Sequence, residues 1–324
     1  MSFKVFVTGG SGFIGSAVIA GLVNRGFDLV NFDIRPPQRA EHLHLWREGD
    51  LAHVDAMVDA MRDLGANAVI HLAARADINA SKWSDFASIH EGTENLLAAI
   101  EVYGGIERVV NTSTQLVIGP QHQPRSLLDF RPYTLYGEAK AYAEAAFLQW
   151  NYPVHWFTVR PANIWGPNHP FCREAIWKYI NSGYYVHPTG DPVYRTYGYV
   201  DNTAEQIIEL MLADPARTMR RVFYVADEAL DSFEWAQAFS RALSGRSVRR
   251  VPKTLFKGLG LAGECAKRLG LPAPIDAGRV LRLTQSYKVP LEATLEITGS
   301  PRVSFDEGIS RTVAWLRSTG APYG

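Results

Sequence analysis

Tyr136-Gly137-Glu138-Ala139-Lys140 sets a phenol and an ammonium four residues apart. On a helix, positions i and i+4 share one face, so both groups would point into the same space. Such a pair can move a proton at a hydroxyl or carbonyl oxygen. A free tyrosine has a pKa of about 10, and bringing it to about 7 takes roughly 4 kcal/mol of selective stabilisation of the phenolate. A neighbouring cation supplies part of that. Tyr-x-x-x-Lys is a common spacing and says little alone, so its weight comes from its surroundings. Val109-Val110-Asn111-Thr112-Ser113-Thr114 reads as an apolar strand ending in three hydroxyls. Thr114 is the candidate to hydrogen-bond a reacting oxygen beside Tyr136, with Thr112 and Ser113 read as core or turn residues.

A second constellation sits at the start of the chain. Thr8-Gly9-Gly10-Ser11-Gly12-Phe13-Ile14-Gly15 follows an apolar strand and precedes an amphipathic helix. Glycines there let the backbone approach a pyrophosphate, and the helix N-terminus offers N–H groups and a favourable dipole. The next strand, 28–33, ends in Asp33, 18 residues after Gly15. That suits a carboxylate binding both hydroxyls of an adenine ribose, and its charge would repel a 2′-phosphate, which favours NAD over NADP. Arg35 dissents, since it could reach a 2′-phosphate. The positive charge of an oxidised nicotinamide would add to the stabilisation of a Tyr136 phenolate.

These residues need elements to position them. Apolar strand candidates at 3–7, 28–33, 68–72, 107–112 and 154–159 alternate with amphipathic stretches near 14–25, 53–63, 84–103 and 134–150. Short continuous apolar strands separated by helices predict an α/β fold, a doubly wound, Rossmann-like parallel sheet covered on both faces. After Arg160, prolines and glycines become frequent. Helical stretches follow near 171–181, 203–213, 232–243, 253–269 and 304–317, with strands near 184–187 and 222–225. Asn202 with Glu205 suggests a capping box for a helix starting at Thr203. The division expected is a dinucleotide-binding domain over 1–160, with a soft boundary, and a smaller, mostly helical substrate lobe over 161–324, some of whose segments return to the sheet.

Composition narrows the class. Hydrophobic residues make up 47% of 324 and charged residues 20%, as in a globular protein with a substantial core. The formal net charge is zero, which argues against a general nucleic-acid binder. Arg246, Arg249 and Arg250 read as a solvated patch. Cys172 and Cys265 have no metal spacing and make no disulfide framework, so no metal is expected and a reducing cytoplasm fits best. The N-terminus runs straight into the first strand, leaving no room for a signal peptide. No apolar run approaches the length needed to span a bilayer, so a membrane partner is not expected.

Taken together, the motifs resemble the extended short-chain dehydrogenases/reductases, the NAD-dependent group that includes nucleotide-sugar epimerases and dehydratases. The resemblance rests on Thr8 to Gly15, Asp33, Asp50-Leu51, His71-Leu72-Ala73-Ala74, the 112–119 strand end, Tyr136/Lys140 and Arg160 to Pro167, in that order. It continues through Arg195 to Asp201 and ends at Val303 to Gly308 and Thr312 to Trp315, covering essentially the whole chain. It implies that Gly9, Gly12, Phe13, Ile14 and Gly15 cradle the cofactor, with Asp50 and Leu51 near the adenine. Leu72, Ala73, Ala74 and Arg75 would line its path. It implies Thr114 as the catalytic hydroxyl, Tyr136 as acid/base, Lys140 on the nicotinamide ribose, and Asn163 and Arg195 at a substrate diphosphate. Asp201 reads as structural and His71 as a strand-end core residue. A homodimer is implied, with the helices near 84–103 and 134–150 pairing as a four-helix bundle.

Departures bear on the substrate. Gln115-Leu116 follow Thr114 where many 4,6-dehydratases carry Asp-Glu, and a neutral amide and an aliphatic chain cannot eliminate water by acid/base chemistry. Ile118 replaces a frequent tyrosine, and Ile89 a frequent asparagine. The leading expectation is a nucleotide-sugar 4-epimerase with Tyr136 acting at the sugar 4-hydroxyl. A one-way reductase of a 4-keto-6-deoxy nucleotide sugar is the near rival. A dehydrogenase of a hydrophobic, sterol-like alcohol is a third reading, prompted by Leu255, Phe256, Leu259, Leu261 and Leu269. A non-catalytic NAD-sensing module would not need the Thr114/Tyr136/Lys140 set.

Overall fold

Val5-Phe6-Val7, Ala68-Val69-Ile70 and Val109-Val110 are buried on both faces, the pattern of strands inside a covered parallel sheet. The computed structural model describes residues 3–319 apart from 78–79, 81, 171, 272–274 and 276. Its strands are β1 (Lys4–Thr8), β2 (Asp28–Asp33), β3 (Trp46–Glu48), β4 (Ala68–His71), β5 (Arg108–Thr112), β6 (His155–Pro161), β7 (Ile164–Trp165), β8 (Val186–Pro188), β9 (Tyr194–Tyr199), β10 (Val222–Val225), β11 (Glu228–Asp231) and β12 (Arg249–Val251). Its helices are α1 (Phe13–Asn24), α2 (Val54–Leu64), α3 (Ala87–Tyr103), α4 (Leu135–Gln149), α5 (Lys178–Asn181), α6 (Val200–Leu212), α7 (Pro215–Thr218), α8 (Ser232–Ser244), α9 (Lys253–Arg268), α10 (Ala277–Thr284), α11 (Glu292–Thr298) and α12 (Phe305–Ser318).

Two compact units emerge. The first comprises 1–162, 200–226 and 290–300. It holds a seven-stranded sheet in the order β10-β6-β5-β4-β1-β2-β3, parallel throughout. Side chains alternate across it. Phe6, Phe32, Val69, Val109 and Trp156 pack with α2, α3 and α4 on one face. Val5, Val7, Ile70, Val110 and Phe157 pack with α1 and α6 on the other. This is the doubly wound, Rossmann-like fold. The order reverses between β1 and β4, so the crevice at their carboxyl ends is where such a sheet takes a ligand.

The second unit comprises 163–199, 227–289 and 301–324. It carries a three-stranded sheet, β11-β9-β7, and a two-stranded one, β12-β8. Its core is aromatic: the Trp165 ring lies 5.1 Å from Tyr199 and 5.4 Å from Phe239. Helices α8 and α12 close over that cluster through Trp235, Ile309, Val313 and Leu316.

The structure corrects several local expectations. The strand at 222–225 is not part of the second lobe; it is the edge of the central sheet, parallel to β6. An apolar run of four residues gives no sign of which strand it will pair with. The helix expected from Thr203 begins at Val200, which buries Asn202 within its first turn. Glu205 meets Arg25 of α1 at 2.5 Å. Residues 172–177 form a π-helical turn leading into the short α5. Arg246, Arg249 and Arg250 are exposed, as a solvated patch should be, and the Arg250 guanidinium lies 4.7 Å from the Phe233 ring centroid.

Candidate active site

At the switch point, the turn after β1 is shaped by close contacts. Gly9 has φ +72°, and a Cβ there would lie 2.5 Å from the Ala73 backbone. A Cβ on Gly15 would overlap the Gly9 carbonyl. Gly12 starts α1, and among the described residues no side chain caps that helix and no acid occupies its first turn. The helix end is thereby suited to an anion. Phe13 and Ile14 are half-buried in the first turn. Asp33 is largely buried at the end of β2, where its carboxylate accepts from the Ser11 N–H and the Arg35 N–H, each at 3.0 Å. Each oxygen keeps a lone pair for a further donor.

Two more loops follow β3 and β4. Asp50 is exposed and accepts from the Ala52 N–H at 2.9 Å. The Leu51 side chain is buried against Gly92, and its carbonyl accepts from Asn95 at 2.9 Å. After β4, the Leu72 N–H donates to the Thr8 carbonyl at 3.0 Å and the Ala73 N–H to Thr8 Oγ1 at 3.3 Å. Leu72, Ala73 and Ala74 are half-buried. Arg75 is exposed beside Asp77 and Asp85. His71 is buried between Thr8 and Thr93, 2.7 and 3.2 Å from their hydroxyls. Burial, then the charge of Lys140, pushes its pKa down to about 3. It is therefore a neutral, hydrogen-bonded core residue.

The end of β5 and the start of α4 meet nearby in the same unit. Thr114 caps a short turn over Gln115–Val117, its Oγ1 accepting from the Leu116 N–H at 3.3 Å. That turn lies on α4: a Cβ on Gly137 would stand 2.5 Å from the Leu116 carbonyl oxygen. Thr134 caps α4 by accepting from the Gly137 N–H at 3.0 Å. Tyr136 is half-buried, its ring 6.1 Å from that of Phe86, and desolvation holds its pKa above the usual phenol range. Lys140 is buried and donates through Nζ to the Thr112 carbonyl at 2.6 Å. Burial pushes its pKa down to about 8 against the opposing charge of Glu144. Ile89 packs with Phe86, Ala139 and Ala143 in an apolar cluster.

In the second unit, the fold joins two residues 32 positions apart. Arg195 Nη2 donates to Asn163 Oδ1 at 3.3 Å, and Asn163 Nδ2 donates to the Thr196 carbonyl at 2.7 Å. Asn163 takes φ +39°, which asparagine tolerates better than most residues. Arg195 is buried, donates to the Arg282 carbonyl at 3.4 Å, and lies 5.9 Å from the Tyr287 ring centroid. Among the described residues no carboxylate lies within ion-pair distance of it.

A sequence model of the NAD dependent epimerase/dehydratase family matches residues 5–225, from the first strand of this sheet to the last. The chain belongs to that family. Within it, the chain is 34% identical to a 2-alkyl-3-oxoalkanoate reductase of Stenotrophomonas maltophilia, over 96% of this chain and 98% of that one. It is 27% identical to a 3 beta-hydroxysteroid dehydrogenase/Delta 5-->4-isomerase of Mycobacterium tuberculosis, over 84% and 78%. Among solved structures, the UDP-glucose 4-epimerase of Thermotoga maritima superposes with a TM-score of 0.74 at 22% identity, covering 97% of this chain and 99% of that one. This family member is thus an NAD-dependent enzyme of the oxidoreductase type, similar to extended short-chain dehydrogenases. The residues present fit NAD: the Gly9/Gly15 cradle has no room for side chains, and Asp33 stands at the end of β2.

Sequence reasoning missed the groups behind Lys140. Glu144 lies one turn further along α4 and receives Arg160 of β6 through two hydrogen bonds, 2.9 and 2.7 Å long. The i, i+4 step from Lys140 to Glu144 was the available signal. Arg160 also donates to the Tyr224 hydroxyl at 3.2 Å, a contact that needs β10 in the sheet.

Proposed function

We propose that the protein interconverts a ketone and the matching secondary alcohol on a largely apolar substrate, using NAD(H). The observation that carries the substrate class is the 34% identity, end to end, with a reductase of 2-alkyl-3-oxoalkanoates. The neutral Gln115-Leu116 pair after Thr114 agrees with it, since no second carboxylate is at hand there for elimination.

In this reading Gly9, Gly12, Phe13, Ile14 and Gly15 hold the pyrophosphate, and Asp33 the adenine ribose. Asp50 and Leu51 flank the adenine, and Leu72 to Arg75 line the remaining path. NADH, when bound there, would supply the hydride to the carbonyl carbon. Thr114 Oγ1 donates a hydrogen bond to the carbonyl oxygen and Tyr136 gives that oxygen its proton. Tyr136 is suited to this because desolvation keeps its phenol protonated. Lys140, anchored by the Thr112 carbonyl, sets the nicotinamide ribose and supplies a cation against the phenolate as it forms. In the oxidative direction the same groups take the proton back.

A second reading, 4-epimerisation of a nucleotide sugar, uses the same proton transfer at the sugar 4-hydroxyl. The joined Asn163 and Arg195, a buried guanidinium with no carboxylate among the described residues, support it as a diphosphate site. The test is paired. NADH oxidation is followed with a 2-alkyl-3-oxoalkanoate, and anomeric proton signals are followed with UDP-, GDP- and dTDP-hexoses under catalytic NAD. Consumption of NADH by the keto acid supports the first reading; a new C4 epimer without net NADH replaces it with the second. Tyr136→Phe should lower turnover by about 10²-fold or more while NADH affinity stays unchanged. Unchanged turnover would remove Tyr136 from the chemistry. The pairing of α3 and α4 across a two-fold axis belongs to the same proposal and predicts a dimer in sedimentation.

A further inference from the structure

The chain carries 33 basic and 33 acidic residues, but they are not evenly spread. Between residues 246 and 288 there are ten lysines and arginines and only two carboxylates, Glu264 and Asp276. This segment holds β12, α9 and α10, all in the second unit.

The same segment exposes leucines. Helix α9 turns Phe256, Gly260 and Gly263 inward, at the i, i+4, i+7 spacing of one face. On one flank of that face Leu255 and Leu259 form an exposed apolar stripe that Ala262 continues, while Lys253 and Lys257 stand exposed on the other flank. Leu261 is 71% exposed, Leu269 76% and Leu271 57%, and Leu281 of α10 is exposed as well. Scattered exposed leucines need no explanation, but a run along two helices that pack together, set among cations, does.

We propose that α9 and α10 form a docking surface for an anionic lipid bilayer. The charge selects the occupant. A second copy bringing the same patch across a two-fold axis would bring the same cationic excess and be repelled. Anionic headgroups would be attracted, while leucines enter the acyl boundary and lysine stems lie along it. The association is peripheral, because no helix among the described residues is long and apolar enough to cross a membrane. It rests on the second unit alone and does not depend on which substrate the enzyme takes.

Vesicle flotation tests this with the full-length protein. Vesicles of phosphatidylcholine alone are compared with vesicles of phosphatidylcholine mixed with phosphatidylglycerol, at low and high salt. The expected result is flotation with the mixed vesicles, at least about tenfold weaker on neutral ones and weakened by salt. Leu255→Gln/Leu259→Gln/Leu261→Gln should lose at least about tenfold of the binding while keeping NADH affinity and a cooperative thermal transition. Lys253→Glu/Lys257→Glu should lose it without touching the leucines. Failure of the wild type to float with mixed vesicles overturns the proposal, as does equal flotation by both variants. Sedimentation showing self-association that the leucine variant abolishes, without vesicle binding, would assign the surface to a second copy and likewise overturn it.

Discussion

Glu144 and Arg160 face each other as a two-pronged, almost wholly buried pair, Nε to Oε1 at 2.9 Å and Nη2 to Oε2 at 2.7 Å. Burial works against the Arg160 charge, but Glu144 outweighs it and holds the guanidinium pKa above its ordinary value. The pair fixes α4 against β6, and α4 carries Tyr136 and Lys140. Breaking it by Glu144→Gln leaves a buried cation without its partner, which costs about 3–5 kcal/mol. Glu144→Leu with Arg160→Met should recover most of that loss. Urea melts of Glu144→Gln and of Glu144→Leu and Arg160→Met, singly and together as a double-mutant cycle, check this; a Glu144→Gln cost no larger than that of a surface change would refute it.

Lys140 predicts a pH dependence. Burial lowers its pKa in the folded protein from 10.5 to about 8. Between those values the unfolded chain binds more protons than the folded one, so stability rises with pH through that window. The contribution is fully present above the unfolded value and is lost as pH falls through about 8. Lys140→Met removes the linkage. Wild type should gain about 2–3 kcal/mol relative to Lys140→Met between pH 7.5 and 10.5, a window set by the two pKa values. Parallel stability curves for the two proteins would show that the ammonium is not desolvated.

Gly9 tests the cradle. Its φ of +72° and the 2.5 Å approach of the Ala73 backbone leave no room for a methyl group. Gly9→Ala should weaken NADH binding by about tenfold or more, because strain of roughly 1–3 kcal/mol falls on the turn that meets the pyrophosphate. Fluorescence titration with NADH measures it. Unchanged affinity would mean the cofactor lies elsewhere.

Asp33 tests cofactor choice. Its carboxylate orients the glycine turn through Ser11 and stands next to the exposed Arg35. Asp33→Ala removes the charge that would repel a 2′-phosphate and should lower the preference for NADH over NADPH by about tenfold or more. Competition between the two cofactors reads the ratio, and an unaltered ratio would assign Asp33 to turn formation alone.

Local patterning determined much of this protein. The strands β1, β2, β4, β5 and β6 show as largely apolar runs because a side chain buried in a sheet covered on both faces is costly unless apolar or hydrogen-bonded. The glycine turn, Asp33 and Tyr136/Lys140 show because backbone approach, ribose hydroxyls and proton transfer each demand a residue type at a fixed spacing. The tertiary structure decided what sequence distance hides. β10 joins β6 only after a crossover through α6, and no spacing encodes that partner. Trp46-Arg47-Glu48 forms β3 by pairing with β2, and at three residues it is too short for its alternation to be read. Glu144 finds Arg160, and Asn163 finds Arg195, because elements distant in the chain pack together. The desolvation that raises Tyr136 and lowers Lys140 exists only once the surrounding side chains have excluded water, and that is a property of the folded chain rather than of any motif.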